Sequence, residues 1–144
     1  MKTIGKGRLA EVRVTDTPQF TDERGSLSVA EGMRGIPFDV KRIFWLYDIP
    51  EGKTRAGHAH KTCWQAIVAV HGGCDIYLTD GQEETTLSLS HPTTMVSIPP
   101  GIWCELRNIT NDAVIMVAAS EHFDPEDYLQ PYSEFIEWVK NSNN

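Results

Sequence analysis

Apolar and polar positions alternate in short runs through most of the chain, at 11–15, 25–30, 40–47, 64–70, 74–79, 85–90, 95–98 and 113–119. Turn-forming residues close each run, and short strands at such regular spacing predict a sandwich or barrel. Between the runs 76–79 and 86–89, Asp80-Gly81 offers the positive φ that a tight hairpin connection favours. His91-Pro92, Pro99-Pro100-Gly101 and the polar stretch 108–112 punctuate the strands that follow. The run from Ala113 to Ala119 is apolar throughout, which predicts a strand buried on both faces. Near the end the period changes: Tyr132, Phe135, Ile136 and Val139 recur at helical spacing, with Pro131 before them and an Asn/Ser tail behind. One terminal helix on an otherwise β fold is the expectation.

Composition narrows the class. A length of 144 residues predicts one domain, 1–144, large enough to bury a core without disulfide staples. An apolar content of 40% excludes a disordered chain, and no apolar run approaches the roughly 20 residues of a membrane helix. Lys2 and Lys6 are not followed by an apolar segment, so a secretory signal is not expected and a cytoplasmic location is. Cys63, Cys74 and Cys104 form no CxxC pair and leave one thiol over in any pairing, which fits reduced thiols. A net charge of −7 argues against nucleic acid and anionic membrane as partners. An anionic small ligand would need arginines placed locally.

The segment that carries chemistry runs from Gly52 through His58-Ala59-His60 and Gln65 to Gly72, with gaps of five, four and six residues. That spacing resembles the first motif of the cupin superfamily, with Gln65 where metal-binding cupins carry glutamate. Pro99-Pro100-Gly101 and Asn108 have the spacing of the second cupin motif. There Cys104 stands in place of the last metal-binding histidine, and Thr93 in place of the leading glycine. On a strand, residues two apart share a face, so His58 and His60 are expected to project together into a barrel mouth. Two imidazoles and a thiol could hold zinc or iron, but without the carboxylate and the third imidazole the set is poor, and no metal is expected. The pair is then free to serve as general acid and base near neutral pH.

Other candidates surround this motif. Arg55, three residues before His58, and Arg42, in the aromatic strand 42–47, could supply the charge that a diphosphate needs. Phe44, Trp45, Tyr47, Trp64 and Trp103 are aromatic enough to fill a core and to stack a nucleobase, and Trp103 and Gln65 join the arginines as candidate substrate-binding residues. Cys63 and Cys74 read as small buried groups, and His71, His91 and His122 as structural or solvent-facing.

Taken in order, Asp22-Glu23-Arg24-Gly25-Ser26-Leu27, Ile36-Pro37-Phe38, Lys41-Arg42, Arg55, His58-Ala59-His60-Lys61, Gln65, Pro99 to Trp103, Ala119-Ser120-Glu121, Asp127-Tyr128, Tyr132 and Phe135 resemble the thymidine diphosphate 4-keto-6-deoxyglucose 3,4-ketoisomerases. These are small cupins related to the WxcM-like domain, and the resemblance spans nearly the whole chain. It implies a cupin-type double-stranded β-helix, that is, a jelly-roll barrel, with a C-terminal helix and no cofactor. It also implies that His58 and His60 are the acid-base residues, that Arg55 lies in the sugar-nucleotide site, and that the protein is a homodimer, often with exchanged N-terminal strands. The chain departs from the family at Phe44 and Trp45, where tyrosines are frequent, at Ala56, where glycine is, and at Cys104.

The expected reaction removes the proton at C3 of a 4-keto hexose, passes through an enediol and returns a proton at C4. Spacing leaves open which histidine is the base. Arg24 could influence which face of the enediol is protonated, or could serve only as a strand cap. Two other readings stand beside the isomerase: a sugar-nucleotide-binding module that moves no proton, and an epimerase that returns the proton to the same carbon.

Overall fold

The structure, a computed structural model, describes residues 2–3 and 7–142. In chain order the strands are β1 (Lys2–Thr3), β2 (Arg13–Asp16), β3 (Gln19–Asp22), β4 (Gly25–Ser28), β5 (Glu31–Gly32), β6 (Gly35–Ile36), β7 (Arg42–Leu46) and β8 (Arg55–His60). They continue with β9 (Gln65–His71), β10 (Cys74–Thr79), β11 (Glu84–Leu89), β12 (Thr94–Ile98), β13 (Trp103–Arg107), β14 (Val114–Ala119) and β15 (Tyr128–Leu129), and the helix α1 (Tyr132–Ser142) closes the order.

Two antiparallel sheets face each other as a jelly roll, one in the order β1-β2-β12-β9-β14-β7 and the other β11-β10-β13-β8-β15. This is the cupin barrel that the motifs imply. The central strand β9 shows why the sequence reads as apolar there: Ile67 and Ala69 enter the barrel core, while Ala66 and Val68 enter a second cluster on the outer face. Ile36 and Phe38, from the stretch before β7, cover that outer face. The helix does the same for the other sheet. Phe135 and Val139, four apart and thus on one side of α1, are buried against Ala59, Trp103 and Leu129.

The barrel core comprises Ile67, Ile76, Leu78, Val96, Ile98, Leu106, Ile115 and Val117, and Leu9, Val12, Ile49, Ile109 and Ala113 belong to the same cluster. The hairpin expected at Asp80-Gly81 joins β10 to β11, with Gly81 at φ +96 and Asp80 Oδ1 accepting from the Gln82 and Glu83 amides at 2.9 Å. The strand β13 was not evident from apolar pattern. Its sequence Trp-Cys-Glu-Leu-Arg buries Cys104 and Leu106 in the barrel, whereas Trp103 lies under α1 and Glu105 and Arg107 pair on the outer face. The hairpin β3–β4 stands apart: all eight of its strand residues are exposed, Phe20 and Leu27 among them. No helix among the described residues is long and apolar enough to cross a membrane.

Candidate active site

Strand β8 carries the histidine pair, and an irregularity in it sets where the pair points. Its register against β13 shifts between Cys104↔His58 and Glu105↔Ala56, which leaves Gly57 as an extra residue. Ala56 and Gly57 both take positive φ, +68 and +76, the geometry of a β-bulge that re-aims the residues following it. Ala56 does so without the freedom of glycine, a strain of about 1 kcal/mol. Beyond the bulge the alternation is regular: His58 and His60 face inward, while Ala59 is sealed under the helix. A hydrogen bond of 2.8 Å from the Gly101 amide to the His60 carbonyl pins the end of the strand.

The two imidazoles meet edge to face with centroids 4.9 Å apart, and the ring of Tyr128 packs on both, at 4.8 Å from His58 and 4.6 Å from His60. Their surroundings differ. His60 Nδ1 lies 2.8 Å from Asp127 Oδ2, and the other carboxylate oxygen accepts from the amide and the hydroxyl of Thr62, each at 2.7 Å. Burial pushes the Asp127 carboxyl up, but the hydrogen bonds from Thr62 and His60 outweigh it and hold the group below its ordinary value. An ionised Asp127 accepts only, so Nδ1 carries the proton and Nε2 keeps its lone pair. That Nε2 is buried without a hydrogen-bond partner among the described residues. Among the described residues no carboxylate pairs with His58. His58 lines a narrow cavity with Phe44, Arg55, Gln65 and Cys104, and burial, followed by the neighbouring His60, drives its pKa down to about 4. Burial also lowers that of His60, against the pull of Asp127. Both rings are therefore neutral at physiological pH.

The other expected site residues divide between this place and elsewhere. Gln65 is buried and Arg55 exposed, and both line the cavity with His58. Arg42 falls on the same cross-strand row as Ala119 and Gln65. Its guanidinium lies over the rings of Phe44 and Phe123, at 5.4 and 5.7 Å, and its Nε is buried without a hydrogen-bond partner among the described residues. Its charge bears on both histidines, lowering each. Trp103 is not with them. Its ring packs on Tyr132 and Phe135 on the far side of β13, and its Nε1 donates to Glu105 at 2.7 Å, because the pleat sends it to the helix side. Arg24 sits at the exposed turn of β3–β4, bound to Asp22 at 2.6 Å. Sequence reasoning gave no role to Asp127, Thr62 or Tyr128. Asp127 is 67 positions from His60, and the pairing of β15 with β8 brings them together.

The donors around the cavity do not suit a metal cofactor. They comprise neutral imidazole, the Gln65 amide and the Cys104 thiol, which complete burial pushes up to about 12, so no anionic ligand faces the ion. A larger depression of about 640 Å³ lies at the loops 51–54 and 107–111. It contains no histidine, and Arg107 there is already bound to Glu105.

Comparison with known proteins bears on this geometry. Residues 10–140 match the family model described as FdtA: WxcM-like, C-terminal. The chain is 32% identical over 133 residues to the TDP-4-oxo-6-deoxy-alpha-D-glucose-3,4-oxoisomerase of Aneurinibacillus thermoaerophilus, covering 92% of this chain and 96% of that one. Among solved structures, a 3,4-ketoisomerase from Helicobacter canadensis superposes with a TM-score of 0.88 at 32% identity, over 90% of this chain and 98% of the other. A histidine-to-asparagine variant of the 3,4-ketoisomerase QdtA from Thermoanaerobacterium thermosaccharolyticum, in complex with TDP-4-keto-6-deoxyglucose, gives 0.87 at 31% identity, over 90% and 94%.

Proposed function

The chain belongs to the FdtA family of WxcM-like proteins, and on that premise we propose that it is an isomerase moving the carbonyl of a TDP-linked 4-keto-6-deoxyglucose from C4 to C3. The observation that carries the mechanism is the unequal pair: one neutral imidazole open to the cavity, the other fixed from behind by a carboxylate. His58 is the group that can reach a sugar carbon. It removes the C3 proton, whose acidity comes from the adjacent C4 carbonyl, and returns a proton to C4. His60 takes the O3 proton at Nε2, is stabilised as imidazolium by Asp127, and passes the proton to O4. The C3–H and O3–H bonds break, the C4–H and O4–H bonds form, and nothing is oxidised overall.

Arg55 and Arg42 answer the negative charge, Arg55 towards the diphosphate and Arg42 towards the enediolate oxygen, since the unpartnered Arg42 Nε has a donor to give. Gln65 orients the sugar by hydrogen bonding at the cavity wall. No role in binding is assigned to Trp103, which supports the wall from the helix side.

The working unit is a homodimer of single-domain chains in the cytoplasm. A lone two-stranded hairpin is marginal in water, and β3–β4 exposes Phe20 and Leu27, as the outer face of β7 and β14 exposes Ile43, Trp45 and Met116. Exchange of the N-terminal strands between two copies would cover these groups and carry Arg24 to the partner's cavity. NMR of the product formed from TDP-4-keto-6-deoxyglucose tests the reaction. A carbonyl at C3 is expected; unchanged ligand would point to a binding module, and a C4 carbonyl with an inverted neighbour to an epimerase.

A further inference from the structure

On the Nδ1 side of His60 the turn after β8 brings a third group beside the imidazole and the carboxylate. The Cys63 sulfur, a ring nitrogen of His60 and an Asp127 oxygen all lie within 4.8 Å of one another, and the nitrogen that meets Asp127 is Nδ1. Cys63 and His60 are buried, and the thiol donates to the Trp64 carbonyl at 3.3 Å while its sulfur accepts from Ser120 Oγ at 4.0 Å. Asp127 is already oriented by its two bonds from Thr62, as a ligating carboxylate is oriented by its surroundings in a metal site.

We propose that His60, Cys63 and Asp127 form a binding site for a thiophilic divalent cation, with zinc as the physiological candidate, and that occupancy switches the isomerase off. Sulfur, imidazole nitrogen and carboxylate oxygen are the donors zinc prefers, at about 2.0–2.3 Å each. In a tetrahedron those bonds separate the donor atoms by roughly 3.3–3.6 Å, so side-chain rotations of about an ångström close the site. Thiolate and carboxylate neutralise the ion, which the cavity-facing donors of His58, Gln65 and Cys104 do not.

The consequence for catalysis is a change of tautomer. The cation takes the Nδ1 lone pair, the imidazole proton moves from Nδ1 to Nε2, and the Cys63 thiol releases its proton to solvent. His60 then has no free lone pair on the substrate side and cannot accept the O3 proton. No electron transfer is involved, and chelation restores the enzyme.

This inhibitory effect rests on the role given to His60, whereas occupation of the site does not, so the test reads both. The intact protein is titrated with cadmium, following the ultraviolet absorption of the cadmium–thiolate bond, and with zinc, following turnover. One equivalent of cadmium should produce the band, and zinc should inhibit reversibly. Cys63→Ala should retain turnover, lose the band and need at least tenfold more zinc for half-inhibition, while Cys74→Ala should behave as the native protein. A band that persists in Cys63→Ala, or equal zinc sensitivity in that variant, overturns the site. A full band with turnover unaffected overturns the switch through the role of His60 and leaves the cation site standing. Basal turnover of Cys63→Ala reports that the variant is folded.

Discussion

The cavity wall around His58 and the strip behind His60 come from the same strand, two residues apart, yet they are built on opposite terms. Around His58 the groups are apolar or uncharged apart from the arginines, and the ring is neutral because charge is poorly solvated there. Behind His60 a carboxylate, a hydroxyl and an amide form a connected network that fixes one tautomer. The difference teaches that equivalent positions in a motif need not be equivalent in chemistry. A ring that meets carbon needs access and a free lone pair, and one that relays protons between oxygens needs a fixed tautomer and a counter-charge for its protonated state.

The largest effect should come from deleting the rings. His58→Asn and His60→Asn are each expected to lower kcat by about 10²- to 10⁴-fold, read by NMR of product formation, and normal turnover in either would break the comparison. Asp127→Asn removes the acceptor that sets the His60 tautomer and should cost roughly 10²-fold or more in kcat with little change in KM. Thr62→Val, which strips one bond from the carboxylate, should cost less. If Asp127→Asn were as active as the native enzyme, the rear network would have no part in proton transfer.

Acid titration should read the burial of both rings as a loss of stability, since His60 is lowered as well as His58. The folded pKa of His58, about 4, lies below the ordinary 6.5, so the unfolded chain binds more protons between these values. Its stabilising contribution is complete above pH 6.5 and is lost as pH falls towards 4, by up to about 3 kcal/mol. Asp127, held below 3.8, adds a loss only beneath that value. Urea midpoints across pH should therefore fall between 6.5 and 4, and the His58→Asn variant should show a shallower decline. The smallest effect is at the bulge: Ala56→Gly relieves a positive φ and should raise stability by about 0.5–1 kcal/mol in urea unfolding. Destabilisation there would mean that the Ala56 methyl packs in the cavity more than its backbone is strained.

Much of this was legible from residue order. Strands β2, β4, β7, β9 to β12 and β14 followed the alternation, whereas β3, β8 and β15 fall outside its runs; the helix followed the spacing of Phe135 and Val139, and the placing of His58 and His60 on one face followed from a period of two. The strand β13 was hidden because both its faces are used, one for the barrel and one for the helix, so Glu105 and Arg107 mask its pattern. Trp103 was misplaced for the same reason: a tryptophan beside a motif says nothing about which way the pleat turns it. Asp127 was invisible because nothing local distinguishes a carboxylate that folding carries to an imidazole 67 positions away. The resemblance to known ketoisomerases included Asp127-Tyr128 as landmarks, but only the pairing of β15 with β8 gives them a place in the site.

The division of labour between the histidines is the central claim, and exchange at C3 reads it directly. Each asparagine variant is incubated with TDP-4-keto-6-deoxyglucose in heavy water, and loss of the C3 proton signal is followed by NMR. The account predicts that His58→Asn abolishes the exchange, while His60→Asn, though it turns over little product, still washes out the C3 proton. The reverse pattern, exchange surviving without His58 and vanishing without His60, would contradict it.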